Sequence, residues 1–227
     1  MVGITQSPLT GRGRGRPVGS DSAVTRKAIL RAARAVINER GYEAATFQAI
    51  ALSAGISRPT MHYYFTTKQE IYDSLHREAY SVVSAAIEAA KLEGTLTKQL
   101  TAFTAAARAL DCPHGSMMQF LITSRLEQHR HPGLRSSCAP VADAVTGFFT
   151  WMVGDAMGRG ELGEDVDGPA VANMLSATFW GVTLFGGYLD GSGGISAIGR
   201  QLNSLFCRGL LQQSPVPVPV SANRLAV

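Results

Sequence analysis

Residues 46–68 read TFQAIALSAGISRPTMHYYFTTK, and this stretch decides the fold of the N-terminal part of the chain. Thr46 is a favourable N-cap for a short helix, and Gly55 ends that helix because glycine readily adopts the left-handed conformation. Ser57 then caps the next helix, and Pro59 falls in its first turn, where a missing N–H costs nothing. The stretch therefore predicts two short helices joined by a tight turn, the helix-turn-helix arrangement.

The sequence predicts a further helix on each side of this unit. Asp21 or Ser22 can cap a first helix, and Gly41 is the residue expected to end it. Thr67 and Glu70 have the spacing of a capping box, so a fourth helix begins there. Its apolar side is predicted to run through Ile71, Leu75, Tyr80 and Val83.

Beyond residue 94 the periodicity stays helical, with no alternation typical of strands. Segments are predicted near 95–110, 115–130, 140–158, 168–190 and 194–213. Pro140 lies in the first turn of its helix or kinks it, and the sequence leaves both open. The predicted fold is all-α with about nine helices, divided into a disordered basic arm (1–20), a three-helix helix-turn-helix head (21–70), a larger helical domain (71–213) and a flexible Pro/Val tail (214–227).

Charge is distributed unevenly along the chain, whose net charge is +4. Residues 1–77 hold eleven Lys/Arg and five Asp/Glu, whereas residues 78–227 hold ten and twelve. A basic end on a weakly acidic body suits a protein that binds a polyanion such as DNA. No stretch is long and apolar enough for a membrane span, and no signal peptide is recognisable, so a cytoplasmic protein with no membrane partner is expected.

The cysteines are few and give no sign of a metal or redox site. Cys112, Cys138 and Cys207 lack the paired spacing that zinc ligands or redox motifs require. They are interpreted as buried thiols, and no cofactor or metal is predicted.

The runs Thr46–Ala51, Ala54–Ser57 and Thr60–Phe65, followed by Thr67 and Lys68, resemble the DNA-binding head of the TetR family of repressors. Residue types, turn and spacing agree together over about forty-five residues. The resemblance implies an all-helical homodimer whose larger domain binds a small effector and forms the dimer. It also implies a transcriptional repressor that binds a pseudo-palindromic operator and is released by that effector.

The resemblance assigns DNA contacts to individual residues. It implies that Thr46 bonds a phosphate, that Gln48 lies near base edges, and that the exposed face of the recognition helix consists of Ser57, Arg58, Pro59, Thr60, His62 and Tyr63. Side-chain chemistry favours the same assignment, because Arg58 can form two bonds to guanine and Gln48 two bonds to adenine. Tyr63 and Tyr64 offer hydroxyls to phosphates, although Tyr64 can instead pack partly inward. Lys68 is interpreted as a phosphate-backbone anchor.

The basic arm contains a second possible DNA-binding motif. Residues 12–17 read RGRGRP, which includes the Arg-Gly-Arg-Pro core that resembles an AT-hook. Arg14 and Arg16 are therefore expected to enter the narrow minor groove of A·T-rich DNA. A generic basic tail is the alternative interpretation.

The C-terminal helices carry more apolar residues than one small domain can cover, so by resemblance the last two helices form the homodimer interface; an intramolecular core is the alternative. Methionines and aromatics line adaptable apolar cavities. On this basis the candidate effector pocket consists of Met117, Met118, Phe120, Leu121, Phe148, Trp151, Met152, Phe179 and Trp180. Their low charge favours a small lipophilic effector, such as a fatty acyl compound.

Two other functions are alternatives to this one. A partner protein instead of a small effector could occupy the larger domain, and an exposed apolar patch would favour it. An enzyme is the remote alternative, because the only dense polar cluster is His114, Arg125, Glu127, His129, Arg130 and His131. No second set of Asp, Glu or Cys completes a metal site there, so the chain is predicted not to be an enzyme.

Overall fold

The computed structural model describes residues 18–109, 117–185 and 194–209. Within these ranges the regular structure is entirely helical, as the sequence predicts. The α-helices are α1 (Val18–Ala44), α2 (Phe47–Ala54), α3 (Arg58–Tyr64), α4 (Lys68–Lys91), α5 (Leu96–Ala109), α6 (Met117–Arg130), α7 (Arg135–Gly158), α8 (Gly168–Leu184) and α9 (Gly194–Gly209), and a 3-10 turn covers Pro132–Leu134.

The head consists of α1, α2 and α3, and its helix ends are fixed by the residues that the sequence indicates. The Thr46 hydroxyl accepts the N–H of Ala49 at 3.1 Å, and the Ser57 hydroxyl accepts that of Thr60 at 3.2 Å. Gly55 ends α2 in the left-handed region, with φ 67° and ψ 30°. These contacts satisfy backbone groups that a helix end leaves unpaired, so both short helices have defined ends.

Helix α4 connects the head to the rest of the protein, which we call the body (α5–α9). Thr67 caps α4 by accepting the N–H of Glu70 at 3.1 Å, and the Glu70 carboxylate accepts the N–H of Thr66 at 2.8 Å. Ile71 and Leu75 of α4 are buried in one apolar cluster that also contains head and body residues. The head and the body therefore share a continuous core across α4.

The body is centred on aromatic side chains from three helices. The ring of Phe103 in α5 lies 4.8 Å from Phe148 and 5.7 Å from Phe149 in α7, and 5.3 Å from Phe179 in α8, measured between ring centroids. Such spacings are typical of favourable aromatic pairs. This cluster joins segments that are far apart in the sequence.

Several predicted boundaries differ from the observed ones. Helix α1 begins at Val18, so residues 18–20 belong to a helix and not to the predicted arm. Gly41 interrupts α1 with φ 80° and ψ 170°, but helical backbone resumes as far as Ala44. The remainder of the arm, the predicted helix ends near 190 and 213, and the tail lie outside the described residues.

Helix α7 begins five residues earlier than predicted, at Arg135, which places Pro140 inside it. The 3-10 turn that ends at Leu134 leads directly into α7, so no separate cap is needed. Proline removes one backbone hydrogen bond inside a helix. Pro140 and Ser136, whose carbonyl loses that bond, are both exposed, so water can take the place of the missing donor.

Candidate DNA-binding surface and effector domain

The outer face of α3 is exposed while its inner face is buried. Arg58, His62 and Tyr63 are exposed, with 81% of Tyr63 accessible, whereas Met61 and Phe65 are buried. The capped start of α3 and its two buried anchors hold this orientation. The structure therefore presents the predicted recognition residues to solvent, where a DNA groove could receive them.

The predicted phosphate-binding hydroxyls also serve as helix caps. The Ser57 and Thr60 hydroxyls lie 2.7 Å apart, and Ser57 also accepts a backbone N–H. Thr46 accepts a backbone N–H in the same way. A hydroxyl that accepts one hydrogen bond still has its own proton to donate. The Thr46 hydroxyl can thus cap α2 and bond a phosphate at the same time.

Helix α2 presents a second exposed side beside α3. Gln48 is exposed as predicted, and Leu52, four residues later, is 82% exposed. Residues four apart share one face of a helix, so Leu52 lies next to Gln48. The sequence interpretation missed Leu52, although its spacing from Gln48 was a usable signal.

Ring contacts hold the surface residues of α3 in place. The His62 ring stacks on Phe47 of α2 at 4.8 Å, with 21° between the ring planes. The rings of Tyr63 and Tyr64 meet edge to face at 5.1 Å. Tyr64 is half-buried, in line with the alternative that it packs partly inward. His62 therefore braces α3 against α2 even though it is exposed.

Lys68 is held by the protein itself, which differs from the prediction of a phosphate anchor. Its Nζ donates to the carbonyl oxygens of Tyr42 at 3.0 Å and Glu43 at 3.3 Å, and it lies 3.7 Å from the Glu43 carboxylate. It also lies 4.1 Å above the Tyr42 ring. The break at Gly41 leaves carbonyls at the end of α1 in need of donors, and Lys68 supplies them.

The N-terminus of α4 carries a negative charge of its own. Hydrogen bonds from the Thr66 N–H lower the pKa of Glu70 below its ordinary value, and the nearby Arg26 guanidinium acts in the same direction. Arg26 also lies 4.7 Å above the Phe65 ring and donates to Ser74 at 3.1 Å. The Glu70 carboxylate offsets the partial positive charge of this helix end, so the exposed residues of α2 and α3 are better placed for DNA.

Comparison with known proteins identifies the type of protein. A sequence model described as bacterial regulatory proteins of the tetR family matches residues 29–75, which contain α2 and α3. The HTH-type transcriptional regulator UidR of Escherichia coli is 23% identical over 170 residues, covering 72% of this chain and 82% of UidR. The HTH-type transcriptional repressor BepR of Brucella suis is 27% identical over 192 residues, covering 77% and 83%.

The head of this chain matches the tetR-family model, and the chain as a whole is similar to transcriptional regulators of the TetR type. Solved structures share the fold over most of its length. The ketosteroid transcriptional regulator KstR2 of Mycobacterium tuberculosis has a TM-score of 0.68 at 20% identity, over 83% of this chain and 95% of KstR2. The TetR-family regulator PfmR of Thermus thermophilus has a TM-score of 0.65 at 24% identity, over 81% and 99%. The matches agree with the prediction that the chain is not an enzyme.

Most of the candidate pocket residues lie in the interior of the body. The buried ones are Met117, Met118, Phe120, Leu121, Phe148 and Met152, and the half-buried ones are Phe179 and Trp180. Trp151 is an exception, because it is 39% exposed and Lys91 Nζ lies 5.4 Å above its ring. Phe148, Phe149 and Met152 form the inward face of α7, which leaves Trp151 at its edge. Trp151 therefore lies at the edge of the group, where its ring still stacks on that of Phe148 at 6.3 Å between centroids.

Three buried polar residues where α4 meets α6 escaped the sequence analysis, namely Tyr72, His76 and Ser124. Tyr80, predicted on the apolar side of α4, is instead 44% exposed, whereas Tyr72, which was not assigned to that side, is fully buried. Spacings of four, three and four residues link Tyr72, His76, Ala79 and Val83 on one helix face. That pattern would have identified the buried side. Cys138 is a buried free thiol as predicted, while the side chains of Cys112 and Cys207 lie outside the description.

Two members of the polar cluster considered for an enzyme, Glu127 and His131, lie at the junction between head and body, while His114 lies outside the described residues. His131 Nδ1 lies 3.4 Å from the Glu43 carboxylate at the end of α1, and its Nε2 lies 3.3 Å from the Glu127 carboxylate of α6. In the part of the chain that the structure describes, no group of three His, Cys, Asp or Glu side chains could hold a metal ion. These residues connect α1 to α6.

The lengths and hydropathy of the described helices show whether any of them could cross a membrane. None of them is both long and apolar enough to cross a membrane.

Proposed function

We propose that this regulator is a ligand-responsive repressor that binds a pseudo-palindromic DNA operator as a homodimer. The observation that carries the proposal is the exposed outer face of α3, held by caps and buried anchors on a helix-turn-helix. The basic N-terminal third and the similarity to BepR, which is named a repressor, support it. A regulator of this kind acts in the cytoplasm, associated with the nucleoid while bound to DNA.

Each exposed side chain of α2 and α3 has a proposed role. Arg58 reads a guanine through two hydrogen bonds, and Gln48 reads an adenine. Leu52 offers its exposed side chain to a thymine methyl. The hydroxyls of Thr46 and Tyr63 bond phosphates, which position the head without reading the sequence. Secondary contacts are proposed for Ser57, Pro59, Thr60, His62 and Tyr64, while Arg14 and Arg16 follow the minor groove.

Lys68 has an indirect role in this proposal. Its ammonium is directed to the carbonyls at the end of α1, so it fixes the position of α1 relative to α4. We therefore assign it to the support of the recognition helix and not to a phosphate.

The last two helices supply the proposed dimer interface. On α8, Met174 and Leu184 are exposed, as is Phe185 directly after it, and on α9, Leu205 is 68% exposed. Apolar side chains grouped on adjacent helices favour burial against a second copy. Such a dimer places two recognition helices about 34–36 Å apart, one turn of DNA. If these side chains instead bind a different protein, the purified chain should be monomeric in solution.

The proposed effector is small and lipophilic, since the interior of the body is lined by methionines and aromatics. Because the head and the body share one core through α4, a ligand that favours one arrangement of the body also favours one arrangement of the head. Release from DNA is then a shift in population between two head spacings.

Selection of bound sequences from random DNA tests the operator proposal. We expect a pseudo-palindrome with half-sites one helical turn apart. Arg58→Ala should relax one base position in each half-site and cost about 1–3 kcal/mol in binding free energy. Arg130→Ala removes an exposed arginine of α6 and serves as the charge-matched control, which should leave the preferred sequence unchanged. A non-palindromic selected sequence, or equal effects of the two variants, would refute the proposal.

A further inference from the structure

Polar side chains meet inside the body where α4, α6 and α7 come together. We call Tyr72, His76, Ser124 and Cys138 the buried polar cluster; each is at most 5% exposed. The Phe120 ring lies beside them, 5.7 Å from the Tyr72 ring and 4.9 Å from that of His76. Polar groups in an apolar interior are costly unless hydrogen bonds satisfy them. The cluster therefore requires an explanation that DNA binding does not provide.

The hydrogen-bonding capacity of the cluster is only partly used. The Sγ of Cys138 lies 3.5 Å from the Tyr72 hydroxyl, 3.6 Å from His76 Nε2 and 3.6 Å from the Ser124 carbonyl oxygen. A thiol has one proton and its sulfur is a weak acceptor, so it cannot satisfy all three neighbours well.

Two further polar atoms of the cluster have no hydrogen-bond partner in the described part of the chain. They are His76 Nδ1 and Ser124 Oγ, and both are buried; the Ser124 side chain nevertheless lies close enough to the Tyr72 hydroxyl to oppose part of the rise in the Tyr72 pKa. In either tautomer of neutral histidine, Nδ1 is a donor or an acceptor of full strength. Leaving such a group unpaired costs about 1–3 kcal/mol. The arrangement thus has donors and acceptors ready for a group that is not part of the protein.

The cluster carries no charge at neutral pH. Burial lowers the pKa of His76 from 6.5 to about 4, against the smaller opposing effect of Asp73. Burial also raises the pKa of Tyr72 and of Cys138 above their ordinary values. Imidazole, phenol and thiol are all neutral as a result. A ligand carboxylate or ammonium placed here would be a buried charge with no oppositely charged group inside the cluster, which is strongly unfavourable.

The nearest charged side chains are engaged in contacts of their own. Asp73 accepts hydrogen bonds from Gln69 at 2.9 Å and from Ser137 at 2.6 Å. The Arg125 guanidinium lies 5.0 Å above the Trp180 ring. Both act on the cluster from its rim, since Asp73 opposes the lowering of the His76 pKa and Arg125 favours the ionised form of Cys138. The Glu127 carboxylate of α6 also acts from the rim and raises the Tyr72 pKa.

We propose that the buried polar cluster is the anchor for the effector and that it binds an uncharged hydroxyl or carbonyl group of a lipophilic ligand. This inference rests on the proposed ligand-responsive function. The ligand oxygen bonds the Tyr72 hydroxyl and the free positions of His76 and Ser124, and its apolar part packs against Phe120 and its neighbours. An alcohol, ketone or ester fits this chemistry, whereas a free fatty acid does not.

The position of the anchor also connects it to the head. The Tyr72 ring meets the Tyr42 ring edge to face at 4.8 Å. Tyr42 lies at the end of α1, donates to Gln69 Oε1 at 3.1 Å and lies beneath Lys68. A ligand bound to the Tyr72 hydroxyl therefore acts one ring away from the helix end that supports the helix-turn-helix.

Four probes with the same chain length and different head groups test the inference. They are 1-octanol, 2-octanone, octanoate and octylammonium, titrated calorimetrically into the full-length protein at neutral pH. We expect the two uncharged probes to bind at least about tenfold more tightly than the two charged ones, because the latter bury an unpaired charge. Equal or tighter binding of octanoate or octylammonium, or binding of none of the probes, would overturn the inference.

Conservative variants locate the binding. Tyr72→Phe removes only the hydroxyl and should weaken 2-octanone binding about tenfold, the effect of one lost hydrogen bond in an apolar site. Tyr80→Phe makes the same change at an exposed position of the same helix and should have no effect. Ser124→Ala gives a second, independent reduction that leaves the aromatic packing intact. If Tyr72→Phe and Ser124→Ala both bind 2-octanone like Tyr80→Phe, the cluster holds water only and the anchor is refuted.

A parallel measurement separates this inference from the proposed function. Binding of the selected operator fragment is followed with and without 2-octanone. Uncharged probes that bind at Tyr72 but leave the operator complex intact would support the anchor and contradict ligand-responsive repression. An operator complex that forms normally, in a protein that binds no probe, would refute the anchor and leave DNA recognition standing.

Discussion

The helix-turn-helix and the aromatic centre of the body are held together by different kinds of interaction. In the head, Thr46 and Ser57 each bond an N–H three residues further along the chain. In the body, Phe103, Phe149 and Phe179 meet from α5, α7 and α8. Local contacts of about 1 kcal/mol fix where helices begin and end, whereas distant packing buries the large side chains that supply most of the stability. The difference separates the surface that determines DNA recognition from the interior that determines folding.

The largest expected effect tests the body. Phe149 is fully buried among Phe103, Phe148 and Phe179. Phe149→Ala should lower the free energy of unfolding by about 3–5 kcal/mol, because it removes a buried ring and leaves a cavity. Urea unfolding measures this loss. Leu92→Ala, at a position 88% exposed, is the control and should change stability by less than about 0.5 kcal/mol. Comparable losses in both variants would contradict the described core.

The next effect depends on pH and arises from the buried polar cluster. Burial lowers the pKa of His76 from 6.5 to about 4. Between these values the unfolded chain takes up a proton at this residue and the folded chain does not. The free energy of unfolding should therefore fall as the pH decreases from 6.5 to 4. The loss is on the order of 3 kcal/mol, from about 1.4 kcal/mol per pKa unit.

Variants isolate the His76 contribution from that of other titrating groups. Urea unfolding at a series of pH values should show a smaller acid-induced loss for His76→Phe than for the natural protein. His129→Phe, at an exposed position of α6, is the matched control and should retain the full loss. Parallel stability curves for all three proteins would show that His76 titrates normally, contrary to its described burial.

A third prediction concerns the junction between the two regions. Gly41 has φ 80°, and a Cβ at this residue would lie 2.8 Å from the Glu127 carboxylate oxygen. Gly41→Ala should therefore cost about 1–3 kcal/mol in the free energy of unfolding, the range for backbone strain of this kind. Gly147→Ala is the matched control, since Gly147 lies inside α7 with open space around its Cβ position. Alanine there should stabilise the helix by about 0.5–1 kcal/mol, so the two variants should differ in sign.

The features that the sequence predicts are those that depend on local contacts in the head. Thr46, Gly55 and Ser57 specify α2 and α3 through neighbours in the chain, and the exposed face of α3 follows from the burial of Met61 and Phe65. These features could be predicted because each depends on a short stretch. The class of regulator followed from the same residues.

What could not be predicted depends on residues that are distant in the sequence. The partners of Lys68 are carbonyls more than twenty residues earlier, which no local pattern indicates. The buried polar cluster unites α4, α6 and α7, and although the spacing along α4 marks a buried face, no local pattern indicates that the polar groups of the three helices meet. Trp151 was expected in the interior by residue type, yet its side chain lies at the surface under Lys91.

The smallest expected effect determines whether Lys68 belongs to the DNA surface or to the fold of the head. Lys68→Met retains the aliphatic chain but removes the bonds to Tyr42 and Glu43, and should cost about 1–2 kcal/mol in the free energy of unfolding. Because the ammonium is engaged with these carbonyls, the slope of the logarithm of operator affinity against the logarithm of salt concentration should stay unchanged. Lys98→Met, at an exposed position of α5, should alter neither quantity. A direct phosphate contact would reduce the salt slope by about one in Lys68→Met, and that result would return Lys68 to the DNA-binding surface.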